Sequence, residues 1–199
     1  MAEKKKLDIP AVKTIDEILS EFHFLEYSTR KRNLAYQVQY LDFQIKLLKE
    51  YVIYGSVLNS LLRNAVISIT NIIEYLLFTC LRSEYGKDPK SHKFPSLIGQ
   101  AKTRNMISKN LAGDLNKIND LRNNLHPSKQ KDALDVNCFD KKDANACLAT
   151  MRKLKKELND YFNRKNTKVE LDNTPCPYEG HVEMLFDGGQ CPYCYGVHN

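Results

Sequence analysis

A chain of 199 residues, 42% hydrophobic and 27% charged, fits one ordinary domain with a small appendage. Its 8 glycines and 7 prolines, the prolines nearly absent from the middle, argue against a turn-rich sandwich and for helices. The net charge of +6 is uneven: residues 167–199 hold one lysine and five acidic residues, so residues 1–166 carry 29 basic against 19 acidic, or +10, a balance that suggests an anionic partner for the body.

Residues 1–13, opening MAEKKKLDIP, read as a loose basic leader. They contain no apolar core of a secretory signal, which points to the cytoplasm. From Thr14, apolar residues fall at helical spacing at Ile15, Ile18, Leu19, Phe22 and Leu25. Ser28-Thr29 marks a break. A second helix carries Leu34, Val38, Leu41, Ile45, Leu48 and Val52 on one face. Gly55-Ser56 opens a third, apolar on most faces, with Leu58, Leu62, Ala65, Ile69, Ile72, Leu76 and Cys80 in register, and it ends near Gly86. Its greasiest run, Ala65 to Leu81, is interrupted by Asn71 and Glu74 and is short for a membrane span, so it reads as a core helix and no membrane partner is expected.

GKDPKSHKFP, from Gly86 to Pro95, has the composition of a loop. Ser96 is the expected cap of a helix reaching about Asn105. Ser108 begins another, with Leu111, Leu115, Ile118, Leu121 and Leu125 on one side, stopped by Pro127. Asp140 caps a final long helix through Ala144, Cys147, Leu148, Met151, Leu154, Leu158 and Tyr161. Arg152, Lys153, Lys155 and Lys156 make its polar face basic, and its pattern stops around Asn166. The fold class is therefore all-α: an antiparallel helical bundle over residues 14–166, followed by a distinct module at 167–199.

That module reads CPYEGH, then VEMLFDGGQ, then CPYC. Cys176 with His181 and Cys191 with Cys194 flank a short alternating segment and an Asp187-Gly188-Gly189 turn, a pattern that suits a zinc-bound β-hairpin with a metal knuckle at each end. Three thiolates and an imidazole match a closed tetrahedral structural Zn2+ site. With few apolar residues, the module depends on metal for its folding free energy. His198 is an alternative to His181 as the fourth ligand. A redox CxxC favours a strand-to-helix setting, and none is evident around Cys191 and Cys194. Such a tail can dock nucleic acid or a protein partner, or cap the body. Cys80 and Cys147 fall on apolar helix faces and read as inert core thiols.

The most informative stretch of the body is Asn119-Asp120-Leu121-Arg122-Asn123-Asn124-Leu125-His126-Pro127. Arg122 and His126 are four apart, one above the other on a helix. Arg122 also borders the apolar stripe, and arginine is rarely buried without a partner. It therefore either pairs with an acid inside the fold, Glu74 being the candidate, or lines a cleft. Arginine can hold a phosphate through two oxygens, and histidine can move a proton near neutral pH.

The apolar NIIEYLLFTCL of the third helix, followed by a loop, a short helix and NDLRNNLHPSK at a helix end, resembles the HEPN superfamily. These are helical domains of prokaryotic defence and toxin systems and of the nuclease parts of type VI CRISPR effectors. The resemblance spans roughly residues 14–165. It implies a homodimer that cuts RNA without a catalytic metal, through 2′-hydroxyl attack that leaves a cyclic phosphate. Carried over, Arg122 binds and stabilises the phosphate, Asn123 orients it and His126 assists proton transfer. Three residues separate Arg122 from His126, fewer than in the family's usual catalytic form. Many domains of this kind are similar only in fold and serve as RNA- or protein-binding modules, the alternative expectation for this chain.

Overall fold

The structure is a computed structural model that describes residues 10–26, 28–123 and 140–171, with side chains as far as 165. Six helices occupy these residues. They are α1 (Ile15–Glu21), α2 (Thr29–Glu50), α3 (Gly55–Tyr85), α4 (Phe94–Thr103), α5 (Lys109–Asn123) and α6 (Lys141–Leu171). The described residues contain no strand. The chain divides into two compact units, Met1–Phe162 and Asn163–Asn199. The helical bundle is the first. The metal module expected at 167–199 has only the last residues of α6 within the described part, so its hairpin lies outside the described residues.

Helix ends follow local chemistry. Thr14 and Glu17 form a reciprocal capping box on α1: the Glu17 amide donates to Thr14 Oγ1 at 3.2 Å, and the Thr14 amide donates to Glu17 Oε2 at 2.7 Å. Ser28 caps α2 by accepting from the Lys31 amide, and Ser108 accepts from the Leu111 amide at the start of α5. Asp140 and Asp143 cap α6 reciprocally, the Asp143 amide donating to Asp140 Oδ1 at 2.8 Å. Gly86 ends α3 in the left-handed region at φ 65°, which glycine reaches without steric cost.

Three boundaries differ from expectation. α4 starts at Phe94, not at a Ser96 cap, because Phe94 is buried and Pro95 suits the first helical turn. Val52, expected on the core face of α2, is 85% exposed because α2 has already ended at Glu50. α6 continues past Asn166 to Leu171, since no glycine or proline interrupts that stretch.

α3 is the axis of the bundle. It packs against α2, α4 and α5, and it buries Leu62, Ala65, Val66, Ile69, Ile72, Ile73, Leu76, Leu77, Cys80 and Leu81. It is long and apolar enough to cross a membrane by composition, yet from Ala65 to Leu81 its buried apolar residues form the centre of one hydrophobic cluster with α1, α2, α4, α5 and α6. α2 packs on α3, and residues 51–54 join the two. α6 closes the bundle through buried Cys147, Leu154, Leu158 and Phe162, with the Phe162 ring stacked on Phe24 at 6.0 Å.

The α1–α6 contact carries a charge network. Lys155 donates to Glu21 at 2.5 Å and lies over the Phe22 ring, while Lys13 pairs with the same carboxylate. Burial alone pushes the Glu21 carboxyl up, but the bonds from Lys13 and Lys155 outweigh it and hold it below the usual carboxylate range. Its stabilising contribution is therefore complete above the unfolded value, about 4.3, and is lost as pH falls through the folded one. Glu21→Gln should lower stability at pH 7 by about 1 kcal/mol. In urea denaturation at a series of pH values, the gap between the two proteins should close below about pH 4. A gap of the same size at pH 3 and pH 7 would contradict the network.

Candidate functional site

α5 is fixed at its start before it delivers Arg122 at its end. The α4–α5 turn is tied by Met106 N–H donating to Ala101 O and Asn105 N–H donating to Lys102 O, each at 3.0 Å, with Asn105 in the left-handed region at φ 55°. This is the paired bonding of a Schellman end, with asparagine in the place glycine usually takes. Met106 is buried beneath it. Glu157 of α6 accepts from the Ser108 amide at 2.6 Å and from its hydroxyl at 2.9 Å. Leu111, Ala112, Leu115 and Ile118 then anchor the apolar stripe of α5 in the core.

Arg122 stands one turn beyond Ile118, where that stripe reaches the surface. Its Nη1 donates to Glu74 Oε2 at 2.5 Å. The two side chains keep 37% and 26% exposure respectively, so the pair is partly shielded and still open to solvent. Glu74 lies on α3 beside buried Ile73, which explains why an acid interrupts the most apolar run of the chain. Of the two arrangements the sequence allowed for Arg122, the ion pair with Glu74 is the one observed. The contact engages one terminal nitrogen of a group with several N–H donors, and the guanidinium keeps part of its surface in solvent.

Asn123 follows Arg122 in α5, is exposed, and projects about 100° around the helix from it. His126 lies outside the described residues, as do Cys176, His181, Cys191, Cys194 and His198. Among the described residues, no group of three or more His, Cys, Asp or Glu side chains is placed to hold a metal ion. His23 and His92 are exposed; His92 sits edge-on to Phe78 with ring centroids 4.9 Å apart. Burial raises the Cys80 thiol strongly, and burial with the nearby Asp143 carboxylate raises Cys147 to about 11, so both are poor nucleophiles, as their positions on apolar faces predicted.

The basic face of α6 is partly consumed within the fold. Lys155 is committed to Glu21, and Lys153 is 3.6 Å from Asp114 of α5. Arg152 and Lys156 are exposed.

One residue the sequence reading passed over is Gln44. It is polar, yet it falls three after Leu41 and four before Leu48, in the core register of α2, and it is only 1% exposed. A polar residue at an apolar register was the available signal. Comparison of the chain with protein-family models, with curated proteins and with solved structures finds no match.

Proposed function

We propose that the chain is a HEPN-like, metal-independent endoribonuclease of a prokaryotic antiviral defence or toxin system, acting in the cytoplasm as a homodimer. The observation that carries this reading is the state of Arg122: a guanidinium oriented by Glu74 at 2.5 Å and still open to solvent. It stands in the last turn of α5, and the residues that follow it in sequence, Asn123 to His126, supply an amide and an imidazole.

The chemistry assigned to these residues is phosphodiester transfer within RNA. The ribose 2′ oxygen attacks phosphorus and loses its proton. The bond to the 5′ oxygen breaks, and that oxygen takes up a proton. The products are a 2′,3′-cyclic phosphate and a 5′-hydroxyl. Negative charge builds on the non-bridging oxygens, where a fixed guanidinium is worth most, and this is the role given to Arg122. Asn123 orients the phosphate, and His126 carries a proton to or from the reacting oxygens. DNA lacks the 2′-hydroxyl and is not a substrate for this route. In a symmetric dimer, an isologous interface brings two such sets to one two-fold axis.

The tail adds a structural Zn2+ site. Three cysteines and a histidine form a donor set that suits tetrahedral zinc and leaves no open position for chemistry, so the metal's contribution is to fold the tail. Cys176, His181, Cys191 and Cys194 are the assigned ligands, and the folded tail is a docking element for RNA or a protein partner.

A second reading keeps the fold and drops catalysis: a HEPN-like RNA- or protein-binding module. The Glu74 carboxylate favours it, because it offsets the charge that Arg122 would otherwise offer a phosphate.

Two measurements separate these readings and test the tail. Purified protein should cut mixed RNA, and Arg122→Ala should slow cutting by about 10²–10³-fold and His126→Ala by about 10²–10⁴-fold, with helical circular dichroism unchanged. Equal cutting by wild type and His126→Ala would remove the assignment. Binding of RNA without cutting by the wild type would establish the module instead. Protein purified without chelator should contain about one zinc per chain, and Cys191→Ser should lose it. Full metal content in Cys191→Ser would overturn the ligand set.

A further inference from the structure

α2 is apolar on two opposite sides. Leu34, Val38, Leu41 and Ile45 face the core. Tyr36, Tyr40, Phe43 and Leu47 each stand two residues beyond one of these, and two residues are about 200° of helix, so they form a second stripe on the far side. Its steps of four, three and four are those of a seam between packed helices. Tyr36 is 47% and Tyr40 55% exposed, and Phe43 and Leu47, half-buried, are not among the side chains packed on the core. The stripe runs on to Tyr51, and Val52, Tyr54 and Val57 around the α2–α3 connection are exposed as well. No charged residue falls within it.

The charges stand along its edge, in an order that works against the helix itself. Arg32 closes the first turn of α2, which holds no acid, and Glu50 is the last residue; both are exposed. A helix favours the reverse, acid at its start and base at its end. Lys49, the base of the last turn, projects about 100° away from Glu50. Arg32 and Glu50 are five full turns apart, so they share one line beside the stripe, about 27 Å from each other along the axis. Arg32 Nε donates to the Tyr36 hydroxyl at 3.3 Å, which ties that charge to the stripe. Asp42 and Lys46, on the same flank, neutralise each other at 3.6 Å. The midpoint between Arg32 and Glu50 is Leu41, and the midpoint of the stripe from Tyr36 to Leu47 falls between Leu41 and Asp42, so charge and apolar surface are balanced about one point.

We propose that this face is the contact between two copies of the chain, with two α2 helices packed antiparallel across a two-fold axis near Leu41. Such an axis lays Tyr36 beside Leu47 of the partner subunit, Tyr40 beside Phe43 of the partner subunit and Arg32 beside Glu50 of the partner subunit, and it repeats each contact in reverse. A parallel pairing would set like charges together at both ends. In the antiparallel one each helix start meets the other's end, so a charge order that is unfavourable within one helix becomes favourable between two. At roughly 200 Å² for a tyrosine side chain, Tyr36, Tyr40, Tyr51 and Tyr54 expose on the order of 400 Å², about half of what each partner gives a stable interface, and Phe43, Leu47, Val52 and Val57 add to it. A tyrosine-rich, charge-free centre with charges at the rim is the composition of protein interfaces. The body, at +10, repels its own copies on its basic faces, and this uncharged face is where two meet with least repulsion. The inference gives the homodimer of the proposed function a surface, but it stands on α2 alone and does not require that the chain cut RNA.

The test is sedimentation velocity of the full chain at micromolar concentration. The wild type should sediment as a dimer. Tyr40→Arg puts a charge at the centre of the seam on a side chain already open to solvent, so it should leave helical circular dichroism unchanged and weaken dimerisation at least about tenfold. Arg32→Glu and Glu50→Arg should each weaken it about threefold, because each sets like charges together twice in the symmetric pair, and the double variant Arg32→Glu/Glu50→Arg should restore it. Each swap suits the dipole of α2 better than the native residue, so neither loss would come from a damaged helix. A monomeric wild type would overturn the proposal together with the homodimer of the proposed function. A dimer indifferent to Tyr40→Arg would put the contact on another face and overturn this proposal alone. Failure of the double variant to recover would overturn the antiparallel pairing, and the proposal with it.

Discussion

Placing an arginine at the rim of an apolar stripe requires an acid within reach, and in this fold the acid comes from the most buried helix of the bundle. The Arg122–Glu74 pair joins the end of α5 to the middle of α3. α3 cannot move to accommodate it, because its neighbours on both sides of Glu74, including Ile72, Ile73, Leu76 and Leu77, are locked in the core. The position of the guanidinium is therefore inherited from hydrophobic packing. A side chain at a helix end, where fraying is usual, is held by the part of the molecule least able to fray. The capping of α5 by Ser108, the Glu157 contacts to that cap and the Asn105 turn secure the other end of the same helix.

The same pair sets the balance between the two functional readings. A carboxylate bonded to one terminal nitrogen orients a guanidinium for a phosphate, and it also reduces the positive potential a phosphate would feel. Elsewhere the positive charge of the body is similarly divided. Lys155 and Lys153 on α6 are drawn into contacts with Glu21 and Asp114, while Arg152 and Lys156 of the same face stay exposed.

Much of this was legible from sequence. Helical periodicity gave the six helices of the described residues, and Ser28, Ser108 and Asp140 marked the starts of α2, α5 and α6 because a side-chain oxygen satisfying free amides is a local requirement. Glu74 was readable as a candidate partner of Arg122 because an arginine bordering an apolar stripe is rarely buried alone; that it pairs with Glu74 and does not simply line a cleft is seen only in the packed structure. The misses share a cause. Phe94 sits in a segment with loop composition and is helical because its ring is buried. Val52 has the right period and is exposed because the helix ends before it. Gln44 looked like one more polar residue, and only the packing of α2 on α3 reveals that its carboxamide is enclosed. In each case tertiary context decided, which a local pattern does not contain.

The dependence of Arg122 on Glu74 is open to direct measurement by a double-mutant cycle. Glu74→Gln, Arg122→Gln and the double variant would be unfolded in urea beside the wild type, and the coupling energy taken from the four stabilities. For a pair this close and only partly exposed, the expected coupling is favourable and about 1 kcal/mol, shrinking as salt is raised. Strict additivity of the two single substitutions, at low salt as well as high, would mean that Glu74 does not hold the guanidinium, and the account of how this fold positions Arg122 would fail.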